Sequence, residues 1–127
     1  MAQRTCVVVD DSLVVRKAAR RIVEGLGFTV REAKDGQEAL DSCRETLPDG
    51  VLLDWNMPVM DGITFLRAAR AEFGPDHPRI VLCTTEAELA RILEALEAGA
   101  QVYVMKPFDA EIIRDKFTQA GLLEDAA

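Results

Sequence analysis

Two adjacent carboxylates, Asp10 and Asp11, directly follow the apolar run "TCVVV" near the start of the chain. Like charges repel each other, and burying even one carboxylate without a partner is costly. The pair therefore either lies in solvent at a strand end or shares a bound cation. A third interpretation is a helix N-cap, because acidic residues stabilise the start of a helix. On this stretch alone, all three interpretations stay open.

Further groups able to take part in chemistry end other apolar runs. Asp54 follows "VLL", Lys106 follows "VYVM", and Thr84 and Thr85 follow "RIVLC". Ligands of parallel sheets gather where the strands end at their carboxyl termini. If these strands are neighbours, three carboxylates, a lysine and a hydroxyl meet in one place. Three carboxylates in one pocket need a cation, and Mg²⁺ fits because it is hard and prefers oxygen ligands.

Such a cluster suits phosphoryl transfer to a carboxylate. A carboxylate can attack phosphorus and form an acyl phosphate. The transferring group carries negative charge on its oxygens, which Mg²⁺ and a fixed lysine stabilise electrostatically. Because the mixed anhydride is labile, a signal stored in this way erases itself.

The elements that must position these groups alternate along the chain. Five strand-like runs, "TCVVV", "TVREA", "VLLD", "RIVLCT" and "VYVMK", are each followed by a segment with helical spacing of apolar residues. Ser12 stands where an N-cap of the first helix is expected, and Gly27 where that helix stops. The alternation predicts an α/β fold, a five-stranded parallel sheet with helices on both faces. "VLLD" is typical of a central strand and "TVREA" of an edge strand.

Length and composition bound the function. The 127 residues predict one domain, 1–127. The net charge of −7 argues against nucleic-acid binding, because phosphate backbones are met by an excess of Lys and Arg. No signal peptide and no apolar run of ~18 residues is found, so we expect a cytoplasmic protein without membrane insertion. Cys6, Cys43 and Cys83 lack metal-ligand spacing, which favours buried thiols.

Taken together, these motifs resemble the receiver domains of bacterial two-component signalling. The matching stretches are "VVVDDS", "LLDWNMPVMDG", "CTTEAE" and "GAQVYVMKPF", and the likeness covers nearly the whole chain. Among receiver domains the sequence is most similar to the single-domain, CheY-like chemotaxis regulators. The resemblance implies a flavodoxin-like (βα)5 fold with strand order 2-1-3-4-5. It also implies a cis peptide bond between Lys106 and Pro107.

The resemblance further implies roles for the residues of the cluster. Asp54 would take a phosphoryl group from the phosphohistidine of a partner histidine kinase. Asp10 and Asp11 would hold Mg²⁺, with help from the Asp54 side chain and the Asn56 backbone carbonyl. Lys106 would pair with the phosphoryl group. With this cluster in view, the N-cap interpretation of the aspartate pair is disfavoured.

A switch is implied as well, and it involves Thr84 and Tyr103. Thr84 would donate its hydroxyl to a phosphoryl oxygen, and Tyr103 would then turn inward. Each residue also has a plainer interpretation, since threonine suits a strand and tyrosine suits a core or sheet edge. The movement would alter a face built from the last two helical segments and the fifth strand. We expect its apolar residues to be mostly core: Leu89, Ile92, Leu96, Ile112, Ile113 and Phe117.

The expected function is therefore a single-domain response regulator rather than an enzyme acting on a separate substrate. It would switch binding to a downstream protein target as a monomer, with a flagellar motor switch as one candidate target. A phosphorelay shuttle or phosphate sink would use the same site without a target of its own. A small-molecule phosphatase of the aspartyl-phosphate type is a more remote alternative, because those enzymes usually carry the nucleophile on the first strand.

Two further expectations are local. Trp55 directly follows Asp54, and we expect it to be a partly exposed loop aromatic. The segment "EAELARILEALEAGA" is predicted to form the fourth helix from its spacing of apolar residues.

Overall fold

A computed structural model describes residues 4–124, except for the side chains of residues 86–88. The strands are β1 (Thr5–Val9), β2 (Thr29–Ala33), β3 (Gly50–Asp54), β4 (Arg79–Thr84) and β5 (Val102–Met105). The helices are α1 (Leu13–Gly25), α2 (Gly36–Glu45), α3 (Gly62–Phe73), α4 (Ile92–Glu97) and α5 (Ala110–Gln119), with a 3-10 segment at Glu86–Arg91. No helix in this part of the chain is long and apolar enough to cross a membrane.

All strand pairs are parallel, and the sheet order is β2-β1-β3-β4-β5. This confirms the predicted α/β fold and strand order. β3 is buried along its whole length at the centre, whereas β2 lies at an edge and is only partly buried. A central strand must be apolar on both faces, and an edge strand need not be, which explains the two patterns. The predicted cis peptide between Lys106 and Pro107 is present, as is a second one between His77 and Pro78.

Alternating residues of each strand build two separate cores, one on each face of the sheet. On β1, Val7 and Val9 point to the face covered by α2 and α3, while Cys6 and Val8 point to the face covered by α1 and α5. All three cysteines are buried free thiols, as predicted. Burial raises the pKa of the Cys43 thiol to about 11, so it stays protonated and unreactive at neutral pH.

The first helix confirms its predicted boundaries. Ser12 is the N-cap of α1, and its hydroxyl accepts a hydrogen bond from the Val15 amide at 3.3 Å. Gly27 follows the helix with a φ of 98°, a left-handed conformation in which glycine is favoured because it has no Cβ. The N-cap interpretation of the aspartate pair is thereby answered, because Ser12 fills that position.

The fourth helical segment differs from its prediction. Residues 86–91 form a 3-10 segment, and α4 begins only at Ile92. Leu89, Leu93 and Leu96, the apolar residues that predicted a continuous helix, are 43%, 67% and 38% exposed. Since most helical stability in proteins comes from packing an apolar face, a segment whose leucines stay outside lacks that support.

A partly exposed ion network joins α1 to the edge strand β2. Glu32 accepts hydrogen bonds from Arg16 at 2.8 Å and from Lys17 and Arg20 at 2.7 Å each. The bonds from Lys17 and Arg20 lower the pKa of the Glu32 carboxyl from 4.5 to about 2. The folded state therefore gains stability from this carboxylate above about pH 4.5 and loses it as the pH falls towards about 2.

We expect Glu32→Gln to lower the free energy of unfolding by about 1 kcal/mol at neutral pH, a value reduced for solvent screening of its exposed partners. The difference from wild type should shrink as the pH falls from about 4.5 to about 2. Urea denaturation at a series of pH values measures it. Glu24→Gln is the control, because Glu24 is 46% exposed and, among the described residues, pairs with Arg20 but not with Arg16 or Lys17. A difference in unfolding free energy that persists unchanged at pH 3 would contradict the lowered pKa of Glu32.

Candidate functional site

The ends of β1, β3 and β5 meet at the carboxyl edge of the sheet, as the sequence predicted. The Lys106 ammonium donates hydrogen bonds to Asp10 Oδ2 at 2.9 Å and to Asp54 Oδ1 at 2.8 Å. β4 separates β5 from β3, so the lysine side chain reaches across the end of β4 to join them. Thr84 ends β4 in that gap and is 1% exposed. Four residues from four strand ends thus lie in one place.

Three carboxylates face one another at this edge. Oxygen atoms of Asp10, Asp11 and Asp54 all lie within 4.8 Å of one another. Asp10 and Asp54 are buried, at 4% and 8% exposed, whereas Asp11 is exposed. Three carboxylates around the ammonium of Lys106 give this cluster an excess of two formal negative charges. Oxygen ligands, two excess charges and one open side fit Mg²⁺, which keeps several waters when bound.

The electrostatics of the buried pair are set by the same contacts. Burial raises the pKa of the Asp54 carboxyl and Asp10 adds to the rise, while the bond from Lys106 opposes it. For Lys106, burial alone would lower the pKa, but the hydrogen bonds to Asp54 and Asp10 outweigh it and the pKa is raised. Lys106 is therefore a fixed positive charge beside the Asp54 carboxylate.

Local structure holds Asp10 in place by its backbone and by one oxygen. Its amide donates to the Ala33 carbonyl at 3.1 Å, and its carbonyl accepts from Arg16 Nη1 at 2.8 Å. Its Oδ1 accepts from the Ser12 amide at 2.9 Å, so Oδ2 is turned towards Lys106. Sequence reasoning missed Arg16. The signal in the sequence was weak, a basic residue in the first turn of the first helix and an acidic residue, Glu32, in the second strand.

Trp55 corrects the prediction of a partly exposed aromatic, because it is only 1% exposed. Strand alternation continues past Asp54, so the Trp55 ring joins the core on the α2–α3 face. Gly62 lies so close that an added Cβ would come within 2.5 Å of the Asp54 carbonyl oxygen. Asp61 caps α3 by accepting from the Thr64 amide at 3.0 Å. The start of α3 thus packs directly on the end of β3.

The two predicted switch residues lie on neighbouring strands. Tyr103 pairs with Leu82, two residues before Thr84, so both side chains belong to the same face of the sheet. The Thr84 hydroxyl donates to the Thr85 carbonyl at 3.2 Å. Tyr103 is half-buried against the core, and the Lys116 ammonium lies 5.5 Å from its ring centroid. Thr84 and Tyr103 are thus on the same face of adjacent strands, as a coupling between them requires.

The face beside Tyr103 is less buried than predicted. Ile113 and Phe117 are core residues, but Ile112 is 39% exposed. Leu89, Leu93 and Leu96, on the 3-10 segment and α4, are exposed as well, and these four side chains are named the apolar patch. The helical spacing indicated an apolar stripe, but a stripe alone does not say what covers it.

An apolar cavity of about 390 Å³ adjoins the site at Lys106, which is one of its lining residues. One side of α1 and the residues after β5 line it: Val14, Val15, Ala18, Ile22, Pro107 and Phe108. Val14 at its rim is 79% exposed. The acidic pocket thus has an apolar border.

The loop after β3 contains one strained residue. Val59 has a φ of 67° and is 84% exposed. A β-branched side chain in the left-handed region costs roughly 1–2 kcal/mol. Asparagine tolerates this conformation, so we expect Val59→Asn to raise the free energy of unfolding by about 1 kcal/mol in urea denaturation. Val14→Asn is the control, an equally exposed valine within a helix, and should change it by less than about 0.5 kcal/mol. Equal effects of the two substitutions would rule out strain at Val59.

Comparison with known proteins defines the class. Residues 6–118 match the family model of the response regulator receiver domain, and the chain belongs to this family of signalling switches. Its relatives include a chemotaxis protein CheY of Pseudomonas aeruginosa, 40% identical over 87% of this chain and 90% of that protein. A chemotaxis protein CheY-3 of Vibrio cholerae is 37% identical over 87% of this chain and 85% of its own length.

Solved structures agree with the fold. The chemotaxis response regulator CheY4 of Vibrio cholerae superposes with a TM-score of 0.85 at 29% identity, covering 94% of this chain and 99% of that one. The receiver domain of a sensor histidine kinase of Pseudomonas aeruginosa gives a TM-score of 0.82 at 28% identity, with the same coverage. That structure is described with a magnesium ion coordinated in its active-site cleft. The protein is thus a CheY-like receiver domain with an acidic pocket.

Proposed function

We propose that this protein is a phosphorylation-switched binding module, in which Asp54 accepts a phosphoryl group from a histidine kinase. The observation that carries the proposal is the Lys106 ammonium, which bonds Asp54 and Asp10 at once beside an excess of carboxylates. A buried carboxylate next to a fixed cation can receive a dianionic group that would otherwise be repelled. The phosphorylated domain would act through contact with a protein target.

Asp10, Asp11 and Asp54 would hold Mg²⁺, with the Asn56 backbone carbonyl as a further ligand. When bound, the ion supplies positive charge to the phosphoryl oxygens. In the transfer, a carboxylate oxygen of Asp54 forms a bond to phosphorus. The bond from phosphorus to the donor imidazole breaks, and the imidazole keeps the electron pair. Lys106 would then move from the free carboxylate to the phosphoryl group, to which the Thr84 hydroxyl would also donate.

The surfaces around the site suit two protein partners. Lys106 lines the apolar cavity and bonds Asp54, so contact with the phosphodonor at this cavity would bring it close to the acceptor. Exposed apolar side chains lie on α4 and α5, and α5 contacts Tyr103 through Lys116, which supports contact with a downstream target there, a flagellar motor switch being one candidate. A shuttle or phosphate sink remains the second candidate function. The shared face of Thr84 and Tyr103 favours a true output over that alternative.

Phosphorylation by a small donor tests the proposal directly. The protein is incubated with acetyl phosphate and Mg²⁺, and its intact mass is followed. We expect one phosphoryl group per chain with Mg²⁺ present. We expect no labelling when a chelator is added in place of the metal. Labelling that is independent of the metal, or no labelling at saturating donor, would contradict the proposal. A target captured only with beryllofluoride present would favour the output module over the sink.

Thr84→Ala is expected to separate phosphorylation from switching. The Thr84 hydroxyl is 1% exposed and ends β4 beside the acceptor, so its loss leaves the carboxylates intact. One or two hydrogen bonds supply about 1–3 kcal/mol, so wild type should gain only about 5–150-fold in target affinity on activation. The variant should still phosphorylate but lose most of that gain. Titration of the captured target with and without beryllofluoride measures it, and an undiminished gain would place the coupling elsewhere.

A further inference from the structure

A cation–π contact joins Arg91, the last residue of the 3-10 segment, to Trp55, which follows Asp54 in the sequence. The Arg91 guanidinium carbon lies 4.7 Å from the centroid of the Trp55 ring. The Arg91 side chain is 49% exposed, whereas Trp55 is 1% exposed, so the contact joins a partly hydrated cation to a buried ring. Tryptophan is the aromatic side chain that attracts cations most strongly.

α4 has few other anchors. Of its six residues, all of them described, Ala95 alone is buried. Its N-cap residue is Arg91 itself, whose side chain makes no capping hydrogen bond. A short helix without a cap or a buried apolar face is marginal by itself. Its remaining side-chain link to α3 is an exposed ion pair, Arg67 with Glu94 at 3.1 Å.

The indole of Trp55 provides an independent observation. Its Nε1 is buried, and among the described residues it has no hydrogen-bond partner. A buried donor without a partner costs free energy, and phenylalanine would fill much of the same space without that cost. What the indole offers over a phenyl ring is a stronger cation-binding face, and that face holds Arg91. The residue at position 55 is thus explained by the contact.

We propose that Arg91 is a positioning residue that ties the start of α4 to Trp55, next to the phosphoacceptor. Its consequence for signalling rests on the proposed function. Leu93 and Leu96 of α4 form part of the apolar patch, so the contact holds those side chains in one arrangement. A change of charge at Asp54 acts one residue from the ring. The contact therefore forms a second route from the site to the patch, separate from Thr84 and Tyr103.

Hydrogen exchange of the unphosphorylated protein tests the tie. Arg91→Met removes the cation but keeps the length of the side chain. We expect amides of residues 92–97 to exchange about fivefold faster in this variant, the equilibrium effect of one cation–π contact, with β1 and β3 unchanged. Arg91→Lys keeps a cation and should restore most of the protection. Unchanged exchange in α4, or an equal rise throughout the sheet, would overturn the proposal.

Glu94→Gln is the matched control. It weakens the ion pairs of Glu94 with Arg67 and with Arg91 at 3.5 Å but leaves the guanidinium over the ring. We expect less than a twofold change, and a loosening of α4 equal to that of Arg91→Met would overturn the proposal. In a Trp55→Phe background, Arg91→Met should have a smaller effect than in wild type. An equal effect in both backgrounds would show that the ring is not the partner.

The same experiment keeps this inference apart from the proposed function. Exchange in α4 is measured without any phosphodonor, and labelling by acetyl phosphate is measured on wild type. Faster exchange in Arg91→Met without labelling of wild type would support the tie and contradict phosphorylation. Labelling of wild type with unchanged exchange in Arg91→Met would support phosphorylation and contradict the tie.

Discussion

Asp54→Asn should abolish phosphorylation by acetyl phosphate. The amide that replaces the carboxylate is not a nucleophile towards phosphorus, so no acyl phosphate can form. The substitution keeps the size of the side chain and removes one of the three crowded negative charges, so we expect the fold to persist. Intact mass after incubation with donor and Mg²⁺ should show no added phosphoryl group, and circular dichroism should match wild type.

Asp49→Asn is the control for this result. Asp49 is an exposed carboxylate at the opposite end of β3, where its Oδ2 accepts from the Thr5 amide at 2.8 Å. It should be phosphorylated on Asp54 as wild type is. Labelling of Asp54→Asn equal to wild type would place the acceptor on another residue. Loss of labelling in both variants would trace the effect to the fold.

Lys106→Met should have the largest effect on stability without metal. Removing one partner of a buried ion pair costs about 3–5 kcal/mol. Lys106 bonds Asp10 and Asp54, whose side chains are 6% and 11% exposed. Because Lys106 is about a quarter exposed, we expect a loss of about 3 kcal/mol in urea denaturation with a chelator present. The three carboxylates would then repel each other with no cation among them.

Mg²⁺ should recover much of that loss. Lys106 now occupies an oxygen of Asp10 and one of Asp54, so it competes with the metal for their negative charge. Its removal should therefore tighten Mg²⁺ binding, and a ligand at a hundred times its Kd stabilises by about 2.7 kcal/mol. The fluorescence of Trp55, buried beside Asp54, should report the titration.

Lys17→Met is the control, because Lys17 is 52% exposed and pairs with Glu32 away from the carboxylates. It should leave the Mg²⁺ affinity unchanged. Weaker Mg²⁺ binding in Lys106→Met than in wild type would contradict the competition, as would a metal-free stability equal to that of wild type.

The sequence by itself determined the alternation of elements and the groups at the strand ends. An apolar run buried on both faces needs no knowledge of its neighbours, so "VLLD" predicted a central strand and "TVREA" an edge strand. Asp10, Asp54 and Lys106 each end such a run, and parallel strands bring their carboxyl ends to one edge. The strand order came from the resemblance to receiver domains, since periodicity within a strand does not say which strand lies beside it.

Only the tertiary structure decided what covers each apolar residue. Trp55 is buried because α3 packs on the end of β3 at Gly62 and Arg91 lies over the ring. Leu93 and Leu96 have helical spacing yet stay exposed, so the fourth helix shortens to six residues. These outcomes depend on contacts between residues far apart in the sequence. A local pattern specifies that a face is apolar, but the partner that buries it, or leaves it for another protein, is set by the packing of the whole chain.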